Sequence, residues 1–198
     1  MADLSHHAEQ AEPLILTVPG LDNSGPGHWQ TLWENSRGDC RRVDLGMWDR
    51  PHRNTWVNKL NLALHKAQHP VVLCAQGLGC LAAAWWVEYE RPKFGEPVVG
   101  AIFISPPDVD RPGLDPRLAR FGACPRETLP FPSYLVVKPD LPMFERVSAI
   151  RLARDWGSYF IDDSGGRRDG TEPASWTPDY GLLHSLERKS AADISQRH

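Results

Sequence analysis

The 198-residue sequence predicts a three-layer α/β/α domain built on a mostly parallel sheet. Apolar runs of strand length alternate along the chain with segments in which apolar residues recur at helical spacing. The chain has the length of one domain, and neither an internal repeat nor a domain linker interrupts it. We therefore expect a polar leader at 1–12, a single domain at 13–190 and a short tail at 191–198.

Composition restricts the classes of protein that fit. The chain is 41% hydrophobic and 24% charged, and its net charge is -3. These values are typical of a globular chain, and the absence of a basic run argues against a nucleic-acid partner. No apolar run approaches the ~20 residues of a membrane span. The polar segment 1–12 has the character of neither a secretory signal nor a transit peptide, so we expect a cytoplasmic protein without membrane contact. The four cysteines show no metal-ligand spacing, and we expect neither a metal nor a cofactor.

The predicted strands are short and apolar, as expected for strands covered on both faces of a sheet. They are Pro13–Val18, Arg42–Leu45, Pro70–Ala75, Val98–Ile104, Tyr134–Val137 and Tyr159–Ile161.

Helices are predicted between these strands from the spacing of their apolar residues. The first, His28–Asn35, follows a Gly/Pro-rich loop and places Trp29, Leu32 and Trp33 inward. The second begins at Asn54 as N-cap. The remaining predicted helices are one after Gln76 with Leu78, Leu81, Ala82, Trp85 and Tyr89 inward, one containing Ala149–Trp156, and a closing helix over Gly181–Arg188. An exposed Trp86 would indicate a protein contact.

The turn after the third strand has the pattern of a nucleophile elbow. In the segment Ala75-Gln76-Gly77-Leu78-Gly79, small residues flank the central position by two on each side, between a strand and a helix. Such a tight turn needs small neighbours and exposes its central side chain at the carboxyl edge of the sheet. Ligands of open parallel sheets bind at this edge.

Several segments together resemble the YdeN and retinoblastoma-binding-protein-9 group of small α/β-hydrolase-fold serine hydrolases. They are Val18-Pro-Gly-Leu-Asp-Asn-Ser-Gly-Pro-Gly-His-Trp-Gln30, Trp48-Asp-Arg-Pro51, Val71-Val-Leu-Cys-Ala-Gln-Gly-Leu-Gly-Cys80, Ser105-Pro-Pro-Asp-Val-Asp-Arg-Pro112, Phe131-Pro-Ser133 and Trp156-Gly157. The resemblance covers about Leu14 to Leu186 and implies a minimal, Rossmann-like hydrolase fold.

The sequence departs from this group at the residues that carry catalysis. Where the group has its nucleophilic serine, this chain has Gly77, and Arg167 stands where the group has its histidine base. Asp140 is a candidate for the remaining acid, or else an ordinary loop carboxylate. In this fold the base follows the acid in sequence, yet the chain has no histidine between His69 and His184.

The resemblance also implies an oxyanion hole formed by the backbone N–H groups of Leu21 and Leu78, which do not depend on the missing side chain. With Arg167 nearby, we expect the cleft to bind a small carboxylate or acyl ligand. Three interpretations stay open: a catalytically degenerate hydrolase acting as a ligand-binding or regulatory module, with or without a protein partner; an active esterase with an unrecognised nucleophile; and a non-hydrolytic enzyme using Asp140 or Arg167.

Three further residues have a structural and a functional interpretation. His28 fits a loop-ordering role or a ligand contact, and Cys74 and Cys80 fit core packing or spare nucleophiles.

Overall fold

A computed structural model describes residues 12–163, 178 and 181–186. Six strands form one sheet in the order β2-β1-β3-β4-β5-β6, and every neighbouring pair is parallel. The strands are β1 (Leu14–Val18), β2 (Cys40–Arg42), β3 (Val71–Gln76), β4 (Val98–Ile104), β5 (Ser133–Val137) and β6 (Tyr159–Asp162). The predicted α/β class is confirmed, and the described sheet is entirely rather than mostly parallel.

Helices cover both faces of the sheet. They are α1 (Trp29–Ser36), α2 (Arg53–Lys66), α3 (Leu78–Glu90), the short α4 (Pro116–Ala119) and α5 (Met143–Trp156). Residues 181–186 are also helical, within the predicted closing helix. The short α4 lies in the segment between β4 and β5, where the sequence shows no periodicity.

The core divides into two layers separated by the sheet. The larger layer joins the buried faces of α2, α3 and α5 to strand residues such as Leu73 and Phe103. The smaller joins α1 and residues 181–186 to the opposite side of the strands, through Trp29, Trp33 and Leu186. This arrangement confirms the three layers that the sequence predicts.

Several element boundaries differ from the prediction by one residue, and those of α2 and β2 differ by more. His52, not Asn54, is the N-cap of α2, so that Asn54 lies inside the helix. β2 ends at Arg42, whereas Val43 and Leu45 are buried as loop residues. Their apolar character reflects packing against α2 rather than strand structure.

Some predicted orientations were wrong. Leu32 and Tyr89 are 39% and 46% exposed, although helical spacing predicted them inward. On α3 the two adjacent tryptophans are reversed: Trp86 is 2% exposed and donates to Asn61 of α2, while Trp85 is half-buried and donates to the carbonyl of Phe121. Trp86 is therefore a core residue, and because it is not exposed it does not indicate a protein contact.

In the part of the chain that the structure describes, no helix combines the length and apolar character needed to cross a membrane.

The reversed tryptophans give a direct test of the packing. Trp86→Ala should lower the free energy of unfolding by about 3–5 kcal/mol, because a fully buried indole leaves a cavity. Trp85→Ala should cost about half as much, because less apolar area returns to water. Denaturant unfolding of both variants measures the two losses, and a larger loss for Trp85→Ala would contradict the assignment.

Candidate functional site at the carboxyl edge of the sheet

Gly77 lies in the turn between β3 and α3, with φ 53° and ψ -123°. Its N–H donates to the carbonyl of Ile104 at 2.8 Å, which holds the turn against the end of β4. This conformation is one that residues with a Cβ rarely adopt, at a cost of about 1–3 kcal/mol. Glycine therefore relieves strain here while leaving the turn without a nucleophilic side chain.

Two neighbouring glycines allow the loop after β1 to lie directly against this turn. A Cβ on Gly79 would be 2.5 Å from the carbonyl oxygen of Pro19 and closer still to that of Val18. A Cβ on Gly20 would be 2.9 Å from the carbonyl oxygen of Gln76. By contrast, a Cβ on Gly77 would meet only the Cα of Gly20 at 4.0 Å. The crossing requires glycine at 20 and 79, whereas position 77 has room for a side chain.

At this crossing Gly20, the residue before Leu21, lies against the backbone nitrogen of Leu78, which a Cβ on Gly20 would approach to 3.3 Å. Leu78 is the first residue of α3, so its N–H has no acceptor within the helix. Within the described residues, neither this N–H nor that of Leu21 donates to another group. Both amides could bind a negatively charged oxygen, the role predicted from the sequence.

The N-terminus of α1 contributes polar side chains beside the turn. His28 is the N-cap, and its Nδ1 accepts from the N–H of Gln30 at 3.2 Å. Trp29 donates from Nε1 to Oε1 of Gln76 at 2.5 Å, and the buried Gln30 donates to the carbonyl of Cys74 at 2.9 Å. These bonds join α1 to the end of β3.

Burial, together with a neighbouring positive charge, keeps His28 neutral near pH 7. Burial and the charge of Lys138 lower the pKa of His28 to about 4, against an opposing hydrogen bond with Gln76. Lys138 follows β5 and is itself half-buried, so burial lowers its pKa while the charge of Asp140 raises it. The carboxyl edge thus carries a cation and a neutral imidazole.

Asp140 is exposed in the turn after β5, next to Lys138. That turn is held by Arg146, which donates to the carbonyls of Pro139 and Leu141 and pairs with Asp162. β4 separates β5 from β3, so Asp140 lies two strands away from the elbow strand. Its part as a remaining acid stays a prediction.

The predicted position of the base cannot be placed, and the first histidine after it in sequence does not reach the turn. Arg167 lies outside the described residues. His184 is exposed, on a helical segment where Ser185 bonds Tyr134 and Leu186 contacts Gly100, both in the amino-terminal halves of their strands. His184 is therefore on the opposite side of the domain from Gly77.

Cys74 and Cys80 are fully buried. Cys80 Sγ donates to the carbonyl of Ile104 at 3.6 Å, and burial raises the pKa of its thiol. A thiol with a raised pKa forms little thiolate and is a poor nucleophile. Core packing thus accounts for both residues better than catalysis.

A separate polar groove of about 450 Å³ is lined by His52, Arg53, Asn54 and Arg120. Arg53 is fixed there, because its guanidinium stacks 4.1 Å above the ring of Trp85 and donates to the carbonyl of Gly122. This groove contains none of the residues predicted for catalysis.

Comparison with protein families agrees with this geometry. The serine hydrolase family model matches residues 15–166, which is most of the chain. The chain belongs to the serine hydrolase family.

Solved structures similar to this serine hydrolase family member share its fold. A protein described as a YdeN-like hydrolase from Pectobacterium atrosepticum is 23% identical, with a TM-score of 0.67 over 91% of this chain and 92% of the other. The ydeN gene product of B. subtilis is 14% identical, with a TM-score of 0.62 over 91% and 99% of the two chains. No match was found among curated proteins.

Sequence reasoning missed Gln76 and Lys138 as polar groups of this site. Gln76 was considered only as a neighbour of Gly77, although its place at the end of a buried strand was a usable signal. Lys138 lies in the same segment as Asp140, but only Asp140 was considered there, as a candidate acid. His28, considered for a loop-ordering role or a ligand contact, is an N-cap that also interacts with Gln76.

The glycines of the crossing should differ in their tolerance of alanine. Gly79→Ala should lower the free energy of unfolding by about 3 kcal/mol or more, because its Cβ would overlap backbone oxygens. Gly77→Ala should cost about 1–3 kcal/mol from its φ alone. As a control, Gly27→Ala should change stability by less than about 1 kcal/mol, because nothing lies within 4 Å of its Cβ. Denaturant unfolding that gives a different order would contradict the close crossing.

The lowered pKa of His28 predicts a pH dependence of stability. The unfolded chain, with an imidazole pKa of 6.5, takes up a proton before the folded chain does at about 4. Stability from the neutral ring is therefore complete above pH 6.5 and is lost as the pH falls toward 4. For this half-exposed ring we expect a loss of about 1–2 kcal/mol, after allowing for solvent screening.

His28→Asn is the matched control for this titration, because asparagine keeps an N-cap acceptor but does not titrate. The unfolding free energy of the parent should fall more steeply between pH 6.5 and 4 than that of His28→Asn. Equal slopes would show that His28 is not held neutral by the fold.

Proposed function

We propose that this member of the serine hydrolase family binds a small carboxylate or acyl ligand at the carboxyl edge of the sheet without hydrolysing it. In this view it is a binding or regulatory module whose catalysis has been lost. The observation that carries the proposal is Gly77, which has the backbone conformation of an elbow and no attacking group.

Rate arguments support the loss of hydrolysis. Removing the serine or the histidine of such a triad lowers turnover about 10⁶-fold, and removing both lowers it little further. Binding and an oxyanion hole alone accelerate hydrolysis roughly 10³- to 10⁴-fold over water. The retained backbone amides therefore support binding of an acyl oxygen far better than turnover.

The charges support the class of ligand. The N–H groups of Leu21 and Leu78 are donors, and Lys138 supplies positive charge at the same edge. A carboxylate or an acyl oxygen is a hydrogen-bond acceptor and complements this set. Arg167 in the position of the base would add a second cation.

A fluorophosphonate probe and a calorimetric titration with hexanoate test the proposal together. The parent should show no covalent labelling and should bind hexanoate. Labelling of the parent would contradict the loss of catalysis, and absence of hexanoate binding would contradict the ligand class.

Reconstruction of the triad gives the positive control. The variant Gly77→Ser Arg167→His should become labelled and should hydrolyse 4-nitrophenyl hexanoate measurably above the parent, with Asp140 as the acid. A well-folded variant with no gain would contradict the assigned positions of the acid and the base.

An active esterase is the second candidate, because the hydroxyl group of Ser105 lies at the same carboxyl edge of the sheet. Ser105 follows β4 and has φ 44°, an uncommon conformation that occurs often at functional sites. Its Oγ accepts from the N–H of Lys138 at 3.1 Å. If the parent is labelled, Ser105→Ala should abolish the labelling under this alternative.

A further inference from the structure

The amide of Gln76 is turned in a defined direction. Trp29 Nε1 can only donate, so the atom that it contacts at 2.5 Å must be the amide oxygen of Gln76. This bond engages the oxygen side of the amide.

The nitrogen side of the same amide is left available. Among the described residues no group accepts from Nε2 of Gln76, and the side chain is partly exposed at the residue before Gly77. A flip of the amide would place Nε2 against the indole N–H, so that two donors would face each other. The bond from Trp29 therefore keeps the two N–H donors of Gln76 directed away from the indole.

These donors add to the set already described at the turn. The N–H of Leu78 lies two residues beyond Gln76, and Gly20, the residue before Leu21, lies against the carbonyl of Gln76 where the loop after β1 contacts the elbow. A carboxylate has two acceptor oxygens, whereas a primary amide has one acceptor oxygen and one NH2 group of two donors. If the amide oxygen binds the backbone N–H groups, the NH2 group is left to face the donors of Gln76, whereas a carboxylate presents an acceptor to both.

We propose that Gln76, oriented by Trp29, is the specificity-determining residue of this cleft and selects a carboxylate over the neutral amide of the same acyl chain. The inference rests on the proposed binding function and names the residue that decides the ligand class. Gln76 would contact the ligand directly, and Trp29 would act as a positioning residue.

Titrations with hexanoate and hexanamide at pH 7.5 test the assignment. The parent should bind hexanoate at least tenfold more tightly than hexanamide. Gln76→Glu still accepts from Trp29 but presents a negative acceptor to the ligand, so hexanoate affinity should fall at least tenfold while hexanamide affinity holds or rises. If Gln76 had only a structural role, its replacement would weaken the binding of both ligands equally and leave the ratio of the two affinities unchanged.

Trp29→Phe tests the positioning role, and Trp33→Phe is its matched control. Both change buried indoles of α1, but only Trp29 bonds Gln76. Trp29→Phe should lower the ratio of hexanoate affinity to hexanamide affinity about threefold or more, because the side-chain amide of Gln76 can then turn. Trp33→Phe should keep the affinity ratio of the parent. If a Trp29 variant fails to fold, Gln76→Met, which lacks the donors, should lower the same ratio.

The outcomes separate the two proposals. Hexanoate binding by the parent with an unchanged ratio in Gln76→Glu and Gln76→Met would overturn the role of Gln76 and leave the binding function standing. No hexanoate binding by the parent would overturn both.

Discussion

The contact between the loop after β1 and the β3–α3 turn is the constraint on which the site depends. The two backbones lie so close that Gly20 and Gly79 admit no side chain, and Gly20, the residue before Leu21, lies against the backbone nitrogen of Leu78. The contact requires glycine at these two positions and involves no side chain at position 77. The close packing of the turn is therefore independent of whether Gly77 is replaced by a residue with a reactive atom, because a fold and the chemistry of its site can change separately.

Polar bonds from α1 hold this contact from the other face of the sheet. Gln30 and Trp29 bond the end of β3, while Arg42 donates to the carbonyl of Ser24 at 3.0 Å and pairs with Glu34 of α1 at 2.8 Å. Side chains on the flanks of the glycine-rich loop thus fix it, together with the loop's own Asn23 and Ser24, which bond Arg42 and Gln30. A site with prearranged donors loses less entropy when it binds a ligand.

The sequence predicts most of the fold because strand length and apolar runs are local signals. β4 was placed at its observed bounds, and the elbow was found from its small residues alone. Orientation on apolar helices was harder: α3 is buried on nearly all sides, so helical spacing could not tell Trp85 from Trp86. Among the candidate site residues, Gly77 was located from the motif, and the role of the two amides stays a prediction from the resemblance. The bond that orients Gln76 could not be predicted, because it depends on an indole 47 positions away in sequence.

The edge of the sheet at β2 has a further consequence. β2 contains only three residues, Cys40, Arg41 and Arg42, and lies at one end of the strand order. An outermost strand with unpaired backbone groups is a template for intermolecular pairing, and shortness and positive charge are two ways in which proteins discourage it. β2 offers only a short row of backbone groups, and the exposed guanidinium of Arg41 adds a charge at this edge, whereas Arg42 is paired with Glu34. Both the shortness of the strand and the charge of Arg41 disfavour extension of the sheet by the same strand of a second molecule.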